Sequence, residues 1–169
     1  MTKVTLSYKN QWGCLPNVYR LQYHYMLEHI IARISYMLKF KYAFLDGKYG
    51  LNNNGPMAGD PIEVNWFAAS NSLGAFDLIV AEMMGFNWSQ IRHLKIARKE
   101  GYLPNKEDIK LIGNIESLKK EFTLRRGLWA YPALVAFRSK ILTKFFYLSK
   151  YAKFLHDVMY TFRKRSLKN

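Results

Sequence analysis

Seven residues between Tyr42 and Gly101 are of types that chemistry uses: Asp46, Asn54, Gly55, Pro56, Gly59, Asp60 and Asp77. Carboxylates such as Asp46 and Asp77 can serve as general bases or as oxygen ligands for a hard cation. Gly47, Gly50, Gly55 and Gly59 allow backbone N–H groups to turn together toward an anion. No G-K-[ST] follows them and no G-x-G-x-x-G is present, so neither a P-loop nor a dinucleotide fingerprint is read here. His24 and His29 are five residues apart, a spacing that puts two imidazoles on different helical faces. Neither belongs to an H-E-x-x-H motif, and no metal-ligating set is assigned.

The elements that must position these residues read as an α/β fold. The expectation is a small, mainly parallel or mixed sheet with flanking helices, followed by a basic amphipathic helical segment. Val4, Leu6 and Tyr8 alternate with polar residues, which predicts a short strand over residues 3–8. Helical periodicity runs from Val18 to about Lys39, with Asn17 as N-cap. Lys41 to Leu45 predicts a buried strand closed by Asp46-Gly47, and the segment from there to Pro61 reads as a long loop. Ile62 to Ala69 predicts a strand, and Ser70-Asn71-Ser72 starts a helix over Leu73 to Met84 that Gly85 stops. Asn87-Trp88-Ser89-Gln90 opens a further helix ending at Gly101. One more strand is expected over 108–113 and a short helix over 115–122.

Two regions follow: an α/β domain over 1–122 and a tail over 123–169. The net charge of +14 is concentrated toward the tail. Residues 1–104 carry 11 Lys and Arg against 7 Asp and Glu, whereas 105–169 carry 15 against 5. In the tail Leu134, Arg138, Ile141, Phe145, Leu148, Ala152, Leu155, Met159 and Phe162 recur at steps of four and three, which predicts one amphipathic helix. Lysines occupy most of the other faces, and Trp129 and Tyr131 add aromatic surface. Such a helix fits an anionic membrane surface through 128–164, a partner helix, or this domain's own sheet. Nucleic acid ranks below these, since no recognised binding motif accompanies the charge. The single cysteine, Cys14, rules out an internal disulfide and makes the cytoplasm the easier compartment, with membrane association through the tail. No signal-peptide pattern and no spanning apolar run is read.

The pieces Val4-Thr5-Leu6-Ser7-Tyr8-Lys9-Asn10, Tyr23-His24, Phe44-Leu45-Asp46-Gly47, Asn54-Gly55-Pro56, Gly59-Asp60-Pro61, Ala75-Phe76-Asp77 and Met84-Gly85-Phe86 occur in an order that resembles the domain-of-unknown-function 362 family. Its members are often described as iron–sulfur cluster-binding-like proteins. The resemblance covers roughly residues 3–122 and concerns the family's C-terminal part, with no counterpart here of the N-terminal half that relatives carry. It implies functional positions at Thr5, Lys9, Asn10, His24, Asp46, Gly47, Asn54, Gly55, Pro56 and Asp77. Some members add cysteine motifs. With Cys14 alone, no iron–sulfur cluster is expected from this chain by itself.

If the strands share one sheet, Asp46 sits at a strand's carboxyl end, where open α/β sheets bind ligands. Lys9 would join it if the first two strands are parallel. Lys9, Asp46, Asp77 and His24 then form a candidate catalytic set, with Lys9 holding an anionic group and an aspartate as base, or His24 and the aspartates holding a divalent cation. Asn10, Gly47, Asn54, Gly55 and Gly59 would line the cofactor or substrate; the cofactor itself is unknown. Each residue also has a purely structural reading, as a turn cap, an ion-pair partner or a tight-turn glycine. Three functions stand side by side: a small enzyme or redox-associated protein with an Asp/Lys/His pocket, a non-catalytic membrane-surface or protein-interaction module, and a nucleic-acid binder. Self-association or a partner protein is also expected, from the apolar side of the tail.

Overall fold

The computed structural model describes residues 2–16, 20, 22–54, 58–125, 130–154 and 157. Helices flank a small two-stranded sheet, so the mixed helix-and-sheet class holds. The described residues of Thr2–Cys14 and Glu28–Gly127 form one compact unit, and those of Leu15–Leu27 and Leu128–Asn169 form a second.

In the larger unit the expected strand over 3–8 is absent. Residues Ser7–Asn10 form a one-turn helix (α1) that continues as a 3₁₀ turn over Gln11–Cys14. Val4, Leu6 and Tyr8 are nonetheless all buried. Their alternation marks which residues point inward, and the backbone N–H groups of Ser7 and Tyr8 are bound by the Asp77 carboxylate instead of a neighbouring strand. The helix expected from Val18 is α-helical over Leu27–Leu38 (α2), which belongs to this unit from Glu28 onward, whereas the 3₁₀ turn over His24–Met26 before it belongs to the smaller unit. Asn17, read as its N-cap, lies outside the described residues.

The long loop expected after Asp46 is a hairpin. Strand β1 runs Ala43–Asn54 and β2 runs Ala58–Ser70, antiparallel, with a bulge between Gly47 and Tyr49. Only residues 55–57 separate the strands, too few for the crossover that a parallel pair requires, so the expected parallel or mixed pairing gives way to an antiparallel one. Glycine, asparagine and proline disguise these strands because two-stranded ribbons consist entirely of edges, where Pro61 is tolerated. One face of the hairpin buries Ala43, Val64 and Trp66, and the other leaves Phe44 and Phe67 largely exposed. An irregular segment straps the buried face: Trp66 Nε1 donates to the Leu118 carbonyl at 2.9 Å, and Phe122 packs on Trp66. Thr123 N–H donates to Asn52 Oδ1, and Asn53 N–H donates to the Thr123 carbonyl. No strand forms over 108–113, where Ile112 is 89% exposed. Of the helix expected over 115–122, a 3₁₀ turn at Glu116–Leu118 is present.

Helix α3 (Leu73–Met83) follows the sequence reading. Ser72 Oγ accepts from the Ala75 N–H at its start, and Gly85, with φ of +77°, turns the chain at its end. The strap completes that end, because Lys120 and Phe122 N–H groups donate to the Met83 and Met84 carbonyls at 2.8 and 3.0 Å. The next helix is α-helical over Arg92–Lys99 (α4), after a 3₁₀ turn at Trp88–Gln90 capped by Asn87 Oδ1. Ile91, Leu94 and Ala97 are fully buried.

In the smaller unit the single helix expected of the tail is broken. Helices α5 (Ala130–Arg138) and α6 (Lys140–Thr143) meet at Ser139, whose backbone is extended and whose Oγ accepts from the Leu142 N–H. An N-cap residue in mid-pattern starts a new helix, and a π-helical turn over Lys144–Leu148 follows. The His24 ring lies 4.3 Å from that of Phe137, and Lys140 sits over Tyr25. Trp129, Leu155, Met159 and Phe162 lie outside the described residues.

Gly74 shows how closely α3 is packed. A Cβ there would stand 2.8 Å from Pro104 Cδ and 3.1 Å from Leu103 Cδ2. Gly74→Ala should lower the unfolding free energy by about 1 kcal/mol in urea titration, although in an open helix the same change raises it by a similar amount. A more stable variant would show that the Pro104 loop yields.

Candidate functional site

The candidate residues meet around α1. Asp77 sits on the second turn of α3 among Phe76, Val80 and Ala81, and it is fully buried. Its carboxylate accepts from Ser7 N–H at 2.8 Å, Ser7 Oγ at 2.6 Å and Tyr8 N–H at 3.1 Å. Leu6, at the N-cap position of α1, offers no side-chain oxygen, so Asp77 satisfies the orphan donors of that helix from a distant part of the chain. Burial pushes the Asp77 carboxyl up to about 6, against the downward pull of the three hydrogen bonds. Tyr8 responds to the same surroundings: burial, then the Asp77 charge, raise its hydroxyl to about 12. That hydroxyl donates to the Tyr102 carbonyl at 3.0 Å.

Lys9 projects from the other side of α1. Its Nζ donates to Thr5 Oγ1 at 2.6 Å, and partial burial lowers its pKa. Near it lies a residue that sequence reasoning missed. His93 on α4 is fully buried, and neither ring nitrogen has a hydrogen-bond partner among the described residues. Burial pushes it down to about 4, with Glu28 opposing and the Lys9 charge adding to the effect. The available signal was its place beside Leu94 and Ala97 on the apolar stripe of α4. Gln11 was missed as well: it is buried in the turn after α1, with both amide atoms unpartnered among the described residues.

The other sequence candidates are dispersed. Asp46 stands opposite Phe67 on the exposed face of the hairpin. Gly47 opposes Trp66 at the bulge, Asn54 pairs with Ala58, and Gly59 pairs with Asn53. Gly55 and Pro56 lie outside the described residues. His24 belongs to the smaller unit. Asn10 ends α1 and lines a cleft of about 420 Å³ together with Gln11. Among the described residues no group of three His, Cys, Asp or Glu side chains is placed to hold a metal ion. A second cleft, of about 570 Å³, contains Lys106 and Lys119, both of which are paired with Glu82.

In chemical terms, Asp77 is an acceptor whose lone pairs already serve backbone and hydroxyl donors, and its titration is coupled to folding. Its raised pKa favours the fold when protonated. That contribution is fully present below the unfolded value of 3.8 and is lost as pH rises through about 6. The stability of the wild type relative to Asp77→Asn should therefore shift in the wild type's favour by about 2 kcal/mol as pH falls from about 7 to about 4. Denaturant unfolding of both proteins across that range measures it, and a constant difference would show a well-solvated carboxyl. Asp77→Ala strands two backbone N–H groups and should cost about 3 kcal/mol at neutral pH.

Residues 1–82 match the family described as "Domain of unknown function (DUF362)". The extent read from the sequence motifs is thereby corrected: the match occupies the N-terminal side of this chain and ends within α3, short of residue 122. A thylakoid-associated protein of Synechocystis sp. is 26% identical over 113 residues, which takes in 63% of this chain and 35% of that protein. The chain thus spans about a third of the length of the curated relative it matches. No solved structure gives a significant match. Every candidate named from the sequence, and Gln11, fall inside the matched residues, so the chain's similarity to this uncharacterised family lies over α1, the hairpin and α3.

Proposed function

We propose that the chain works at an anionic membrane surface, held there by the basic, aromatic segment over residues 130–154. The observation that carries this reading is the exposure of large apolar side chains there: Ile141 is 79% exposed, Phe154 68% and Val135 61%. Lys140, Lys144, Lys150 and Lys153 are interleaved with them. Apolar groups presented beside lysines suit the boundary between headgroups and acyl chains, where each base near an anionic leaflet contributes about 1 kcal/mol. Among the described residues no helix is long and apolar enough to cross a membrane, so the contact proposed is peripheral. The similarity to a protein named as thylakoid-associated is in keeping with it.

A second reading is a polar pocket for an anionic small molecule or a metal, redox-associated by family resemblance. It would use the candidates that meet at α1 in the larger unit, Lys9, Asn10 and Asp77. The observation in its favour is the half-buried Lys9 ammonium, near enough to His93 to affect its titration.

Vesicle co-sedimentation tests the first reading. The chain should pellet with phosphatidylcholine vesicles containing phosphatidylglycerol and stay in the supernatant with phosphatidylcholine alone. Each Lys→Glu change at 140, 144, 150 or 153 should lower partitioning about fivefold or more, the equivalent of about 1 kcal/mol per base. Equal binding to neutral vesicles, or binding indifferent to all four changes, would overturn it.

A further inference from the structure

We propose that a cleft on the solvent side of α3 binds a small zwitterion with an apolar body, the chemistry of a free α-amino acid with an aromatic or branched side chain. The site is independent of the membrane contact, because all its residues belong to the larger unit.

The two sides of α3 divide its residues between core and cleft. One side buries Phe76, Val80 and Ala81, and the other gives Leu78, Ile79 and Glu82 to the lining of the cleft. Gly85, with φ of +77°, turns the chain at the helix end, and Phe86 and Trp88 after it form a wall. Leu78, Ile79, Phe86 and Trp88 are all half-buried, so this lining is apolar and open to a ligand. The cleft encloses about 570 Å³, within the range of small-molecule sites.

Charges of both signs line the remainder. Glu82 is already engaged: Lys106 Nζ donates to it at 2.7 Å and Lys119 Nζ stands 3.7 Å away. The Lys106 hydrogen bond holds its carboxyl below the usual carboxylate range. Two lining groups are left, Arg98 and Glu107, opposite in sign and neither in an ion pair among the described residues. Arg98 is fixed in place, donating to the Pro104 carbonyl and to Asn105 Oδ1, each at 2.8 Å, with its guanidinium over the Trp88 ring. A guanidinium so held keeps further N–H donors for an anion. Glu107 stands in the 3₁₀ turn over Lys106–Asp108, just past Asn105, and offers a carboxylate to an ammonium. A pure anion would meet Glu107 and a pure cation would meet Arg98, whereas a ligand with both charges satisfies both. A free amino acid bears the two charges on one carbon, which leaves its side chain for the apolar wall. A peptide separates them at its two ends.

L-Phenylalanine is the probe. Its controls are hydrocinnamate, which lacks the ammonium, and phenethylamine, which lacks the carboxylate. Each is titrated into the full chain by calorimetry, with thermal unfolding followed in parallel. L-Phenylalanine should bind and raise the unfolding midpoint. Each control should bind about tenfold more weakly or worse, having lost one charged hydrogen bond. Glu107 is exposed, so Glu107→Gln should fold as the wild type does. That variant should bind L-phenylalanine about tenfold more weakly and hydrocinnamate no more weakly than the wild type does. The wild-type comparison of the three compounds stands whether or not the variant folds. Absence of L-phenylalanine binding at millimolar concentration, equal affinity for either control, or undiminished binding by a folded Glu107→Gln protein would overturn the proposal.

Discussion

A single buried carboxylate ties the first turn of this chain to its central helix. Asp77 receives two backbone N–H groups and one hydroxyl from Ser7 and Tyr8. A one-turn helix has almost no stability of its own, since nucleation fixes several dihedrals for one hydrogen bond. Its N-terminal donors would be costly to bury unpaired. Asp77 removes that cost, which lets Val4, Leu6 and Tyr8 enter the core beside Ile31 and Phe76. The position of Lys9, the Tyr8 hydroxyl and the Gln11 amide all follow from that anchorage. Desolvation holds the carboxyl's pKa up while three donors favour its ionised form, so the anchor combines a favourable geometry with an unfavourable environment.

The hairpin is a second device with a different logic. Its strands have unpaired outer edges, and it is held by the segment leading to Thr123, which crosses its buried face and then terminates α3 with backbone N–H donors. One irregular segment therefore secures two regular elements. Its hold depends on side chains as much as on backbone: Trp66 donates into it, and Phe122 fills the space that Gly50 leaves open. The exposed face beyond carries Asp46 among aromatic neighbours, far from the catalytic environment that the sequence suggested for it.

What was legible from the residues alone was whatever is decided locally. Ser72 and Gly85 mark α3 because capping and left-handed turns are properties of a few adjacent residues. The burial of Val4, Leu6 and Tyr8 was legible for the same reason, yet their conformation was not, because the partner of the Ser7 N–H is Asp77. The hairpin was hidden by asparagine and glycine, whose weak strand preference is overridden by cross-strand pairing and the strap. At the site, Asp77 and Asn10 stood out by type, although the role of Asp77 as a remote cap depends on burial. Gln11 could not stand out at all, and His93 only through its place on the apolar stripe of α4. An unpaired polar group is defined by what surrounds it, and those surroundings come from α2, α4 and the start of β1.

The Ser7–Asp77 contact also sets an order in time. Its partners are 70 residues apart, so α1 has no cap while the ribosome is still making the hairpin. Closing so long a loop costs entropy that only the later contacts of α3 can offset. Until α3 has emerged, the first residues present Val4, Leu6 and Tyr8 to solvent as an uncapped apolar segment. The segment around α1 is made before α3 and settles only once α3 is there to receive it.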